Sequence, residues 1–218
     1  MKEIITDYAV LSNRCDEIDI RKEGREAQEI VRELKAVVRE KNLTGLSACQ
    51  IGYDKRILVI NFNGDIRSFI NPIITDAQGL DLSRETCSSI PDKTFIRIRN
   101  NTISVAYQTP LGKIESRKLF GLAATVFQHH LDHLDGLLLS DVALEIDEAF
   151  DNATDEEKGE IINLYLDSLD IKRKELKEEI TQDENLKQMS DAIDFIEQVQ
   201  KGQVQFEDCA TVKKANQE

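Results

Sequence analysis

A chain of 218 residues with 40% hydrophobic and 32% charged side chains can bury one core with an appendage, or at most two domains. No stretch approaches the roughly 18 apolar residues of a membrane span, and the opening MKEIITD lacks a secretory apolar region, so neither membrane insertion nor secretion is expected. The net charge of −13 is uneven: residues 1–142 carry 19 Lys/Arg against 20 Asp/Glu, whereas 143–218 carry 9 against 21, and so acidic a tail disfavours a nucleic-acid partner.

The first predicted element is a helix over about 22–41, where Ile30, Val31, Leu34, Val37 and Val38 recur at helical spacing and Arg/Glu fill the other face. Gly45-Leu46-Ser47-Ala48 breaks it. Residues 56–62 read as a buried strand, Asn63-Gly64 as a tight hairpin turn and 66–74 as the partner strand. Residues 95–107 alternate apolar and polar, and 111–119 give a further strand after Thr109-Pro110. A helix over about 121–134 follows. The order is α+β: one helix, several antiparallel strands, then a second helix.

Beyond Asp141 the texture changes. Thr154 and Glu157 form an N-terminal capping-box signature. Ile161, Leu164, Tyr165, Leu169, Leu176 and Ile180 then mark an apolar stripe, and a further helix is predicted over 186–199. The division expected is therefore a globular domain, 1–142, and an acidic helical extension, 143–218. Amphipathic helices of this kind suit an αα-hairpin, a protein partner or self-association. Four scattered cysteines, Cys15, Cys49, Cys87 and Cys209, show no disulfide framework and fit a reducing cytoplasm.

All three histidines fall within Gln128-His129-His130-Leu131-Asp132-His133. His129 and His133, four apart, lie on one face of a helix and can chelate a divalent metal without bending the backbone. The apolar run ahead of them predicts burial. A third ligand is needed, a thiolate or a carboxylate from elsewhere. Cys87 stands out, in the short polar segment Glu85-Thr86-Cys87-Ser88-Ser89-Ile90-Pro91 between strands.

Three segments together resemble the motifs of the peptide deformylase family, GxGLAAxQ, EGCLS and QHExDH, in order and spacing. They are Gly45-Leu46-Ser47-Ala48-Cys49-Gln50-Ile51-Gly52, the 85–91 segment, and residues 128–136. Phe69-Ile70-Asn71-Pro72 supports the likeness, which covers about residues 4–142. It implies an α+β deformylase-like fold with antiparallel strands around a metal-carrying helix. It further implies that Cys87, His129 and His133 hold one divalent metal, Fe2+ or Zn2+, in an open tetrahedral site. Gln50 and the Ser88 backbone N–H would hydrogen-bond a developing oxyanion. Thr44, Gly45, Leu122 and Val126 would line the groove for formylated peptide N-termini. Glu85 and Arg99 occupy positions that are ion-paired in the family.

The sequence departs from the family pattern at the chemistry. His130 stands where the family has its acid/base glutamate. Leu43 replaces the first glycine of the first motif, Thr86 and Ser88 replace the Gly and Leu of EGCLS, and Thr94 takes a position where arginine is common. The expected function is removal of the formyl group from N-terminal formyl-methionine, with His130 carrying the proton. The alternative is a metal-binding pseudoenzyme or assembly scaffold on the same fold.

Overall fold

The structure, a computed structural model, describes residues 2–182, with side chains through residue 169. A short helix α1 (Tyr8–Leu11) is capped by Asp7, whose carboxylate accepts from the Ala9 and Val10 amides. Helix α2 (Ile20–Glu40) starts at Asp19, which accepts from the Arg21 amide, and it turns Ala27, Ile30, Val31, Leu34, Val37 and Val38 inward. The predicted stripe is thus the buried one.

A six-stranded antiparallel sheet follows. Five of its strands, β1 (Gly45–Ser47), β2 (Ile57–Phe62), β3 (Asp65–Cys87), β4 (Ile90–Gln108) and β5 (Ile114–Phe120), are paired in that order, and the sixth adds to β4 later in the chain. A 3-10 turn, Ala48–Ile51, joins β1 to β2. Asn63 and Gly64, both at positive φ, make the β2–β3 turn anticipated from their sequence. In β2, Leu58 and Ile60 pack into one apolar cluster with Phe69, Phe127 and Leu134, whereas Ile57 and Val59 join the cluster formed with α2. Residues 57–60 are thus covered on both faces, which is why they read as an unbroken apolar run.

Helix α3 (Leu122–Leu134) covers the second face of the sheet. Its entry residue is Gly121, and Phe127 meets Phe69 edge-on at 5.2 Å. Helix α4 (Leu139–Val142), strand β6 (Leu144–Ile146) and helix α5 (Glu148–Asn152) follow. Strand β6 pairs with β4 across Thr94, Phe95 and Ile96.

Strand β3 is far longer than the expected 66–74. Its second half, 76–87, carries little apolar alternation and is held by its ladder to β4 from Asp76 to Cys87. Backbone pairing, not side-chain burial, extends it, and a hydrophobic pattern cannot report that.

Two compact units divide the chain, one ending at Asp151 and one beginning at Asn152. The expected boundary at residue 142 therefore lies within the first unit, because β6 completes the sheet beyond it. In the second unit, helix α6 (Asp155–Gln182) begins as predicted. The Thr154 amide donates to Glu157 Oε2 at 2.8 Å and the Glu157 amide donates to Thr154 Oγ1 at 3.2 Å. Of the apolar stripe, Tyr165 is buried but Leu164 is 70% exposed. The helix predicted over 186–199 lies outside the described residues. No described helix is long and apolar enough to cross a membrane.

Candidate metal centre and groove

Three elements converge on the site. Cys87 closes β3, Gln50 sits on the turn after β1, and the histidines project from α3. The ligand atoms of Cys87, His129 and His133 lie within 4.8 Å of one another, and all three residues are buried. Cys87 Sγ is 3.2 Å from His133 Nε2. A tetrahedral ion with bonds of about 2.3 Å to sulfur and 2.0–2.1 Å to nitrogen separates such ligands by about 3.5 Å. One thiolate and two imidazoles at this spacing suit a divalent metal with an open position. His130 is not part of this ligand set.

The surrounding charges orient these three side chains. His129 Nδ1 is 2.8 Å from Glu85 Oε2, so its Nε2 is left for Cys87 and a metal. Glu85 also accepts from Arg99 Nε at 2.7 Å and Nη2 at 3.0 Å, which makes the predicted ion pair a buried, two-bond contact. Arg99 Nη1 reaches Asp132 Oδ2 at 2.6 Å and so ties the Cys87 strand to α3.

Burial alone would raise the Cys87 pKa, but hydrogen bonds from His129 and His133 outweigh it and bring the thiol down to about 5. Burial likewise opposes ionisation of Glu85, yet its bonds to His129 and Arg99 hold it at about 2. His129 is pushed up to about 9, its contacts with Cys87 and Glu85 outweighing burial. The cluster is poised as a thiolate and a carboxylate around imidazoles. His133 Nδ1 is buried without a hydrogen-bond partner among the described residues, so it lacks the orienting bond that His129 has.

Gln50 is oriented by its neighbours. Its Oε1 accepts from the Ser47 amide at 2.9 Å, so its NH2 must point the other way. That group donates to Ser89 Oγ at 3.1 Å and faces Cys87 Sγ at 3.9 Å. Ser88 is exposed on the turn immediately after Cys87.

A groove of about 270 Å³ opens above the cluster. Residues 43–45 form part of its lining and residues 84–88 another part, with Leu122, Thr125 and Val126 of α3 beside His129 and His130. Every residue expected to line a substrate groove is on it: Thr44, Gly45, Leu122 and Val126. Leu43 and Thr86, two of the departures from the family pattern, also face it.

His130 is buried on this wall. A Cβ built on Gly45 would lie 2.5 Å from His130 Cδ2 and Nε2, so only glycine leaves room for the ring. The Ser47 hydroxyl donates to the His130 carbonyl at 2.8 Å and lies 3.2 Å from His130 Nδ1. With its one proton committed, Ser47 Oγ can only accept at Nδ1, so the neutral ring carries its proton there and its lone pair at Nε2. Burial first, then the positive neighbours His129, His133 and Arg99, holds the His130 pKa well below 6.5.

Ser47 escaped the sequence reading. The signal was available, because the motif GxGLAAxQ has alanine at that position; the two departures, Ser47 and His130, touch each other. Asp132 and Ser89 also went unnoticed, since nothing in their spacing reveals partners 33 and 39 residues away.

Comparison with known proteins agrees with this geometry. Residues 1–148 match the family model for polypeptide deformylase. The peptide deformylase of Dictyoglomus turgidum is 33% identical over 126 residues, covering 58% of this chain and 82% of that one. The crystal structure of Thermotoga maritima peptide deformylase superposes with a TM-score of 0.62 at 28% identity, covering 65% of this chain and 97% of that one. A Synechococcus elongatus peptide deformylase, solved in complex with actinonin, gives 0.60 at 27% identity, covering 65% and 78%. The chain belongs to the polypeptide deformylase family.

Proposed function

We propose that the protein is a metal-dependent hydrolase that removes the formyl group from N-terminal formyl-methionine of peptides. The observation that carries this reading is the convergence of the Cys87, His129 and His133 ligand atoms beside a groove that takes in Thr44, Gly45, Leu122 and Val126. Those three residues would hold a divalent cation, iron or zinc, which would supply Lewis acidity at the formyl carbonyl and acidify the attacking water.

The chain's own groups do the rest. The exposed, apolar Leu122 and half-buried Val126 offer a surface for the methionine side chain. The Gln50 NH2, turned toward Cys87 by Ser47, donates to the oxyanion as the water oxygen adds to the formyl carbon, together with the backbone N–H of Ser88. His130 Nε2 accepts the proton of the attacking water and delivers it to the peptide nitrogen as the C–N bond breaks, releasing formate and a free amine. The thiols Cys15, Cys49 and Cys87 are unpaired, as a reducing cytoplasm would keep them.

Formate release from formyl-Met-Ala-Ser by the full-length, iron-loaded, anaerobic protein tests the reading. Turnover that requires bound metal is expected. Intact metal and peptide binding without turnover would instead support a pseudoenzyme, a reading favoured by the replacement of a carboxylate with His130 and by the Leu43 and Thr86 side chains on the groove.

A further inference from the structure

Arg84 stands on the groove three residues before Cys87 on β3. Its guanidinium grips the Asp151 carboxylate through two parallel bonds, Nη1 to Oδ1 at 2.6 Å and Nη2 to Oδ2 at 2.8 Å. This is the geometry by which arginine reads a carboxylate. The two side chains are 55% and 45% exposed, so the pair is weak and open to exchange with a competing carboxylate from solution.

The adjacent charged residue on the groove, Glu85, is buried and committed to Arg99 and His129. Of these two charged residues, it is the exposed guanidinium that a peptide arriving at this end of the groove meets, held by a pair that can exchange. At about 3.3 Å per residue, Arg84 lies about 10 Å along the strand from Cys87. An extended peptide with its N-terminus at the metal cluster covers that distance in about three residues. The chain's net charge of −13 does not forbid an acidic ligand here, because at physiological ionic strength charges beyond about 8 Å are screened while a two-bond contact is not.

Resting on the peptide reading of the groove, we propose that Arg84 is a specificity-determining residue that receives a substrate carboxylate about three residues from the N-terminus. That carboxylate is either an acidic side chain or the C-terminus of a tripeptide, and it displaces Asp151. Asp151 is the resident competitor: it keeps the fork pre-shaped and is released when substrate supplies the same chemistry.

The test uses deformylated peptides, which cannot turn over, titrated calorimetrically into the full-length, metal-loaded protein. The probes are Met-Ala-Ser-amide, Met-Ala-Glu-amide and Met-Ala-Ser with a free carboxylate. The two charged peptides should bind about three- to tenfold tighter than the neutral one, the range of an exposed to half-buried charge-assisted pair. Arg84→Gln should erase that ratio, and Asp151→Asn should widen it about twofold or more. Tighter binding of only one charged peptide identifies whether side chain or C-terminus supplies the group, and supports the assignment. Equal affinities for all three peptides, unchanged by either substitution, would overturn it while leaving the peptide reading of the groove intact. Failure of every peptide to bind would overturn that reading and the role of Arg84 with it.

Discussion

The substitution His130→Glu probes the site at its largest departure from the family pattern. The ring is packed against Gly45, where a Cβ would sit 2.5 Å away, so exchange for an unbranched carboxylate relieves crowding instead of adding to it. The Ser47 hydroxyl keeps its 2.8 Å bond to the backbone carbonyl of residue 130 whatever the side chain. The local fold should therefore survive. General acid–base catalysis is worth about 10²–10⁴-fold, and an imidazole whose basicity is depressed by burial and cationic neighbours realises only part of it. His130→Glu should raise kcat/KM for formyl-Met-Ala-Ser by about one to three orders of magnitude, and His130→Ala should lower it by about two. Formate release is measured on proteins matched for metal content. A fall in activity on His130→Glu would refute the reasoning and mark the imidazole as a base that this site is built around. No change would place the limitation in Leu43, Thr86 and Ser88 on the groove.

Cys87→Ala should reduce bound metal from one ion per chain to none by elemental analysis, and equal content in both proteins would sink the ligand assignment. Glu85→Gln should weaken metal affinity about 10–100-fold by releasing His129 Nδ1, measured by competition with a chelator. In the metal-free wild type, the stability Glu85 contributes is present above about pH 4.5 and lost as pH falls toward 2, since its folded pKa is the lowered one; that acid dependence should be shallower in Glu85→Gln. Gly45→Ala should cost about 1–3 kcal/mol by urea unfolding, because the added methyl meets His130 and, at 3.0 Å, Val126; a neutral result would show that the ring moves freely. A protein ending at Asp151 should melt cooperatively and bind metal. One ending at Val142 loses β6 and the Arg84–Asp151 pair and should melt lower. Equal melting temperatures would make β6 dispensable.

Local and periodic features of this protein could be read from the sequence alone. The stripe on α2, the apolar run of β2, the Asn63-Gly64 turn and the capping box at Thr154 each depend on residues within a few positions of one another, where helical or strand geometry sets the contacts. The His129/His133 pair was legible for the same reason, since an i, i+4 spacing fixes two imidazoles on one helix face. The three ordered motifs then pointed to Cys87 and to the groove residues. Tertiary structure alone decided the rest. The polar half of β3 is held by cross-strand hydrogen bonds to β4, which leave no hydrophobic pattern. Strand β6 is three residues long and exists because β4 offers it an edge. Ser47 meets His130 across 83 positions, and Arg84 meets Asp151 across 67. Such pairings are decided by how elements far apart in sequence pack together, α3 against β1 for the first and α5 beside β3 for the second. No periodicity encodes them, and the first of them fixes the tautomer of His130.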